Sequence, residues 1–179
     1  MDVATEHGVL VTVTPVHMVT VAEYAITQWL ATLKRVYTLN RISHAGDFSI
    51  IPTYETQGST LGLYGFGRIG RLALRAIYES GRRDIKVLAI NDLAPVDAHA
   101  HLLRHDSSHG PFPGRVRAFK NALGVGRDRI KVFAERDPKN LPWGDLGIDI
   151  VMECTGIFTA REKAAIHLEA GAKRVLVSA

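Results

Sequence analysis

Three glycines with a spacing suited to phosphate binding lie in the stretch STLGLYGFGRIGR, residues 59–71. Gly65, Gly67 and Gly70 form the pattern G-x-G-x-x-G between a short apolar run and a helix-like one. In such a turn the first glycine permits a tight bend, the second lets the main chain approach a pyrophosphate, and the third lets helix and strand pack closely. The amino end of the helix adds free N–H groups and partial positive charge. The stretch therefore predicts a dinucleotide-binding turn.

An acidic residue stands where the ribose of such a ligand would lie. Asp92 follows the apolar run IKVLAI, 22 residues beyond Gly70. Its carboxylate can accept hydrogen bonds from both ribose hydroxyls and would repel a 2′-phosphate, which favours NAD over NADP.

The single cysteine, Cys154, ends the apolar run DIVMEC, so no internal disulfide can form. A nucleophilic role would need an electropositive, partly exposed site. His167 is the nearest downstream histidine, but the predicted helix turn separates it from Cys154. Buried free cysteine commonly serves as a small apolar residue, which is the role we predict here.

Four histidines cluster between residues 99 and 109, with His101 and His105 one helical turn apart. A metal site needs a carboxylate or thiol at a recognised spacing to complete it. The sequence offers none, and we predict no metal.

From residue 60 onward, strand-like and helical runs alternate, which is typical of a parallel sheet with helices on both faces. The predicted strands are TLGLYG, IKVLAI, DIVMECTG and RVLVSA, and the predicted helices are RIGRLALRAIYES, VDAHAHLLRH and AREKAAIHLEAG. RVRAF, ALGVG and RIKVFAE favour a small antiparallel excursion. The fold class predicted for residues 59–179 is α/β, Rossmann-like and doubly wound, with an incomplete sheet. Thr155, Gly156 and Ser178 follow or end strands, at the sheet edge where ligands bind in such folds.

Residues 1–58 form a separate predicted segment of strand, long helix and loop. GVLVTVT, residues 8–14, is β-branched and strand-like. Thr20 and Glu23 suit a capping box, and a helix is predicted over residues 22–39. Its apolar stripe consists of Ala25, Trp29, Leu33 and Val36. Residues 40–59 are predicted to be a linking loop.

Charge is distributed unevenly along the chain. Residues 1–60 hold three Lys/Arg and five Asp/Glu, whereas residues 61–179 hold nineteen and thirteen. The basic residues neither cluster nor alternate with aromatic ones, so nucleic acid is not an expected partner. The amino end lacks a basic start, and the apolar run 8–22 is interrupted by Pro15 and His17, so we expect neither a signal peptide nor a membrane span. Together with the lone cysteine, these features favour the cytoplasm.

The segments GFGRIGRLALRA, AINDL, HLLRHDSSHGPFPG, AERDPKNLPW and ECTGIFTAREKAAIHLEAGAKRVLVSA closely resemble the NAD-binding half of phosphorylating glyceraldehyde-3-phosphate dehydrogenase. The resemblance covers residues 65–179. It implies that the turn, with Phe66, Arg68 and Ile69, contacts the pyrophosphate, and that Asp92 contacts the adenosine ribose. It further implies that Arg136 lies beside the adenine, and that Thr155, Gly156 and Ser178 line the path to the nicotinamide.

A second resemblance covers residues 1–71. The segments DVATEHGVLVTVTP, TVAEYAITQWLATLKR, AGDF and STLGLYGFGRIGR resemble the D-2-hydroxyacid dehydrogenase family, which includes formate dehydrogenase. Tyr64 supports it, since the other family usually has Asn before the glycine turn. Thr20 and Val21 would then face the nicotinamide side. The chain is thus interpreted as a chimera joined within GFGRIGR. We expect that the strand GVLVTVT lacks its partner strands, and that RVLVSA has an exposed face prone to association.

Catalytic groups of both families lie beyond the matching segments, so no catalytic residue is predicted and enzymatic activity stays open. Three hypotheses follow. The chain binds NAD without catalysis, it acts once a complementing chain supplies the rest, or it is an interaction protein that kept the fold. Under the first, it is the NAD-binding domain of an oxidoreductase, resembling either of the two families. Self-association, or binding of the complementing chain, would use the uncovered surface of the missing half.

Overall fold

A computed structural model describes residues 9–12, 27–28, 30–53, 55, 57–106 and 109–178. The strands within these residues are β1 (Val9–Thr12), β2 (Ser59–Tyr64), β3 (Ile85–Asn91), β4 (His105–Asp106), β5 (Gly110–Pro111), β6 (Val116–Phe119), β7 (Ala122–Val125), β8 (Asp128–Phe133), β9 (Ile150–Glu153) and β10 (Arg174–Ser178). The helices are α1 (Val36–His44), α2 (Arg68–Glu79), α3 (Val96–Arg104), α4 (Arg161–Ala164) and α5 (Ile166–Glu169), with a 3₁₀ turn at Pro138–Asn140.

Eight of these strands form one sheet in the order β1-β10-β9-β2-β3-β8-β7-β6. The first six run parallel, and β7 and β6 are antiparallel additions. This arrangement confirms the predicted α/β, Rossmann-like class. One detail differs, because β8 pairs antiparallel with β7 but parallel with β3. The segment RIKVFAE therefore extends the parallel sheet as well as forming part of the antiparallel excursion.

Side chains alternate between the two faces of the sheet along β2. Leu61 and Leu63 lie in the larger core cluster, with Leu74 of α2 and Leu103 of α3. Tyr64 lies in the cluster on the opposite face, which contains Trp143. Because both faces of β2 are covered, its residues from Leu61 to Tyr64 form a continuous buried run rather than alternating apolar with polar residues.

The strand β1 pairs parallel with β10, with Val9 opposite Val175 and Thr12 opposite Ser178. The predictions that GVLVTVT lacks a partner and that RVLVSA is exposed are therefore wrong. Residues Val175 to Ser178 are all buried. The physical reason is that an open strand edge presents unpaired N–H and C=O groups, and a β-branched segment of the same chain satisfies them.

The long helix predicted over residues 22–39 differs from the structure. Residues 30–33 are helical, residues 34 and 35 form a turn, and α1 then continues to His44, into the predicted loop. Arg35 adopts a left-handed conformation with φ 51°, which interrupts the helix and redirects the residues after it. Leu33 consequently joins the larger core cluster, whereas Val36 is 47% exposed. Ala25, Trp29 and the Thr20–Glu23 capping box lie outside the described residues.

The predicted helix AREKAAIHLEAG is likewise divided, at Ala165, into α4 and α5. Both pack on the face of the sheet that carries Val175 and Val177. None of the helices described is long and apolar enough to cross a bilayer.

Candidate cofactor site

The glycine turn joins β2 to α2, and its three glycines meet different steric demands. Gly65 adopts φ 90°, in the left-handed region that favours glycine. A β-carbon on Gly70 would lie 2.3 Å from the carbonyl oxygen of Gly65, which is closer than any real contact. A β-carbon on Gly67 would meet no atom within 4 Å, so the main chain is open there. The first and third glycines therefore shape the turn, and the second leaves room for a ligand.

Asp92 is tied directly to this turn. One of its carboxylate oxygens accepts the Phe66 N–H at 2.6 Å, and the other accepts the Ala94 N–H at 3.0 Å. A carboxylate offers about four acceptor positions. Two remain for a ligand, which matches the two hydroxyls of a ribose. The side chain of Phe66 itself is buried in the core, so only its main chain can contribute to the site.

The carboxyl ends of β2 and β9 are in close contact beside the turn. The Cys154 N–H donates to the Tyr64 carbonyl at 2.7 Å. A β-carbon on Gly65 would lie 2.7 Å from Thr155 Cγ2. From β2 the chain continues to β3 on one side, whereas β9 lies on the other. The crevice between β2 and β9 is thus the topological switch point, where ligands bind in doubly wound sheets.

A buried polar network holds Thr155 in place. Its N–H and hydroxyl both donate to the same oxygen of Glu153, the N–H at 2.5 Å. The other oxygen of Glu153 lies 3.5 Å from Nε2 of His167, and both side chains are fully buried. Trp143 Nε1–H donates to His167 Nδ1 at 3.2 Å, which places the proton of a neutral imidazole on Nε2, facing Glu153. The network fixes the orientation of the Thr155 hydroxyl at the crevice.

The loop after β8 is fixed from two sides. Asn91 donates to the Glu135 carbonyl and accepts the Glu135 N–H, both at 2.9 Å. The Tyr64 hydroxyl donates to the Arg136 carbonyl at 3.2 Å. Burial, followed by the charge of Glu153, raises the pKa of Tyr64 to about 12, so the hydroxyl remains a donor at neutral pH. Arg136 is exposed on this loop.

Ser178 and Gly156 lie farther along the same edge. Ser178 ends β10, two strands away from β2, and is 2% exposed. Gly156 is exposed and adopts φ 74°. The structure therefore brings the turn, Asp92 and Thr155 together, whereas Ser178 lies two strands away from the turn.

Cys154 is buried in the core beside Glu153. Burial, assisted by the negative charge of Glu153, raises the pKa of its thiol well above the ordinary value. The thiol is therefore protonated at neutral pH, which agrees with the inert role predicted for it.

Four residues near the site were not assigned a role there from sequence. Asn91 positions the loop after β8, and His99 lies behind Asp92 with only 2% of its surface exposed. Leu93 and Ile157 follow Asp92 and Gly156 and are 55% and 65% exposed. A signal was present for this pair, since large apolar residues directly after strand ends are suited to contact a ligand's flat ring.

The strand order, the switch-point crevice and the glycine turn define a dinucleotide-binding domain. A family model described as the glyceraldehyde 3-phosphate dehydrogenase NAD-binding domain matches residues 59–161. This chain therefore belongs to the glyceraldehyde-3-phosphate dehydrogenase family, and NAD is the cofactor of its matched domain. The predicted cofactor and the first of the two resemblances are confirmed.

Curated relatives carry the same family name. Glyceraldehyde-3-phosphate dehydrogenase of Xanthobacter flavus is 65% identical over 115 residues, which are 64% of this chain and 34% of that protein. The enzyme of Cereibacter sphaeroides is 64% identical over the same share of each chain, and that of Thermotoga maritima 57%. The chain thus spans about a third of the length of the curated relatives it matches.

Proposed function

We propose that this chain binds NAD along the carboxyl edge of its sheet, with each part of the cofactor at a particular set of residues. The pyrophosphate lies over Gly67 and the N–H groups of Arg68 and Ile69, because the turn is open there and the amino end of α2 attracts anions. The adenosine ribose binds the two remaining acceptor positions of Asp92. The hydrogen bond from Phe66 to Asp92 carries this assignment, since it locks the ribose acceptor to the phosphate turn.

The two ends of the cofactor extend to opposite sides of the turn. The adenine lies near Arg136, whose loop is fixed by Asn91 and Tyr64, and contacts the exposed side chain of Leu93. The nicotinamide extends past Thr155 and Gly156 toward Ser178.

Calorimetric titration of the chain with NAD and NADP tests these assignments. Asp92→Asn keeps an acceptor for Phe66 but loses the charge. We expect it to weaken NAD binding about tenfold, the value of one charge-assisted hydrogen bond, and to narrow the preference over NADP. Asp97→Asn, at an exposed carboxylate in the first turn of α3, is the matched control. Unchanged NAD affinity in Asp92→Asn would contradict the ribose assignment.

We also propose that these 179 residues do not oxidise an aldehyde by themselves. Aldehyde oxidation in this family needs a nucleophilic thiolate, and the thiol of Cys154 is buried and protonated. The protein is incubated with glyceraldehyde-3-phosphate, phosphate and NAD, and NADH absorbance is followed. Steady turnover would contradict the proposal, whereas turnover that appears only on adding another chain would support the complementation hypothesis.

The buried free thiol also supports a cytoplasmic location.

The second resemblance remains a proposal about residues 1–71. It is supported by Tyr64 before the turn and by the order of strand, helical segment and β2 in the described part of the chain. Genomic and transcript sequences across codons 60–75 test the join. Separate reading frames or loci on its two sides would indicate an artificial fusion, and continuous coding sequence would support a natural chimera.

A further inference from the structure

His99 occupies a buried position directly behind the ribose-binding carboxylate. It belongs to α3, is 2% exposed, and its ring meets Phe66 edge-on with the centroids 5.3 Å apart. Neither ring nitrogen makes a close hydrogen bond among the described residues, although the main chain of Ala94 acts on the ring as a weak hydrogen-bond partner. A buried imidazole with so little hydrogen bonding is costly, so the charges around it decide whether it carries a proton.

The carboxylate of Asp92 lies close to the His99 ring. Nε2 lies 3.5 Å from the oxygen of Asp92 that accepts the Ala94 N–H. Arg71 of α2 also acts on the ring, and Phe66 contributes only an uncharged aromatic surface. Burial is the main cause that lowers the pKa of His99, and Arg71 lowers it further, whereas Asp92 and, to a smaller extent, the main chain of Ala94 raise it. The imidazole is therefore neutral at neutral pH, and it gains a proton only at a lower pH than an ordinary histidine does.

We propose that His99 is a positioning residue that sets cofactor specificity through Asp92. With a neutral imidazole, Asp92 keeps its full charge and repels a 2′-phosphate, so NAD is preferred. With a protonated imidazole, the positive charge offsets that of Asp92 and the repulsion falls. Discrimination against NADP therefore weakens as the pH falls. This inference rests on the proposed role of Asp92.

The sign of the effect follows from linkage. A ligand that brings more negative charge to the pocket favours the protonated imidazole, so NADP binding takes up a proton and raises the pKa of His99. Binding of NAD brings no 2′-phosphate and has a smaller effect. The proton uptake specific to His99 is at most one per molecule of NADP bound.

The test is titration of the full chain with NAD and with NADP at about pH 8 and about pH 5, the lower value lying below ordinary histidine titration because burial lowers the pKa of His99. We expect the ratio of NADP to NAD dissociation constants to fall about tenfold in mild acid, the effect of coupling worth one pKa unit. In His99→Asn the ratio should change far less, within about twofold. His101→Asn, at an exposed histidine of the same helix, should behave as wild type. The 2′-phosphate also titrates near pH 6, but equally in all three proteins.

The outcomes separate the inference from the function on which it rests. Equal pH dependence in His99→Asn and wild type overturns the role of His99, whereas absence of NAD binding at both pH values overturns the proposed cofactor site. If His99→Asn does not fold, NMR titration of the histidines in the wild-type chain replaces it. A His99 pKa higher with NADP than with NAD supports the inference, and equal values overturn it.

Discussion

At the scale of single residues, Gly67 and Gly70 lie in the same turn but serve different purposes. A β-carbon on Gly67 would face open space, whereas a β-carbon on Gly70 would collide with the Gly65 carbonyl oxygen. Changes at the two positions should therefore separate ligand binding from folding.

Gly67→Ala should fold normally, because Gly67 has φ −67° and its β-carbon would meet no atom. We expect an unfolding free energy within about 0.5 kcal/mol of wild type and NAD affinity at least about tenfold lower, since the methyl group occupies the ligand's approach. Gly70→Ala should instead lower the unfolding free energy by about 1–3 kcal/mol through overpacking. Thermal melts and calorimetry measure both effects. Normal NAD affinity in Gly67→Ala would contradict the placement of the pyrophosphate.

The sequence allowed the glycine turn and Asp92 to be predicted because both requirements are local. Glycine spacing reports main-chain geometry, and the acid follows a strand at a fixed distance. The position of His99 could not be predicted in this way. Its burial depends on how α3 packs against Phe66 and Asp92, which no local pattern records.

At the scale of elements, the turn after β9 depends on the buried carboxylate of Glu153. Thr155→Val keeps the shape of the side chain but removes the hydroxyl that donates to Glu153 and accepts the Ile157 N–H. We expect a loss of about 1–2 kcal/mol in unfolding free energy, measured by urea denaturation, and weaker NAD binding. Thr159→Val, at an exposed position nearby, should change neither. Equal effects of the two substitutions would argue against this role of Glu153.

The amino ends of β2, β9 and β10 are joined by Asp149. Its carboxylate accepts from Thr60 at 2.9 Å and from Lys173 at 2.7 Å. Burial raises the pKa of Asp149, but the hydrogen bonds from Lys173 and Thr60 outweigh it and the net shift is downward. A carboxylate whose pKa is lower in the folded state than in the unfolded state stabilises the protein at any pH above its unfolded-state pKa. This contribution is lost as the pH falls through the folded-state pKa.

Acid denaturation should therefore be less steep in Asp149→Asn than in wild type. Urea unfolding at about pH 6 and about pH 3, which bracket carboxylate titration, compares the two proteins. We expect the difference in unfolding free energy between the two pH values to be smaller in the variant, because it lacks the proton that Asp149 takes up. Asp145→Asn, at an exposed carboxylate nearby, should retain the wild-type slope. An Asp149→Asn slope equal to wild type would contradict this role of Asp149.

Strands and helices of residues 60–178 were largely predictable because apolar runs between turn residues mark buried parallel strands. The helix predicted over residues 22–39, before this part of the chain, was not predictable in the same way. An unbroken helical pattern over residues 22–39 gave no sign that Arg35 would adopt a left-handed conformation. Tertiary packing of Leu33 into the core accompanies the break, and such packing overrides local propensity.

At the scale of the whole molecule, β1 converts an open sheet edge into a paired one. The double variant Leu10→Pro/Val11→Pro removes two neighbouring N–H groups of β1. Because neighbouring N–H groups point to opposite sides of a strand, one of the two lost groups faces β10. We expect the exposed β10 edge to cause self-association, seen by size-exclusion chromatography with light scattering. Ile50→Pro, at a fully exposed coil position, should leave the mass distribution unchanged. A double variant with the wild-type mass distribution would contradict the protective role of β1.

The pairing of β1 with β10 could not be predicted because it joins segments from opposite ends of the chain. Each strand was visible in the sequence, but which edge would accept β1 depends on the strand order of the finished sheet. The family resemblance did not help, because the family match begins at residue 59, after β1.

That same pairing has a consequence for synthesis. During translation β1 leaves the ribosome well before β10 is synthesised. Its main-chain N–H and C=O groups therefore lack their native pairing partner while most of the chain is made. Closing so long a loop is entropically costly and slow. The unpaired β1 strand is therefore most in need of chaperone protection during elongation, when nascent copies on one messenger RNA can pair with each other. Slower translation should lengthen the time for which β1 is exposed.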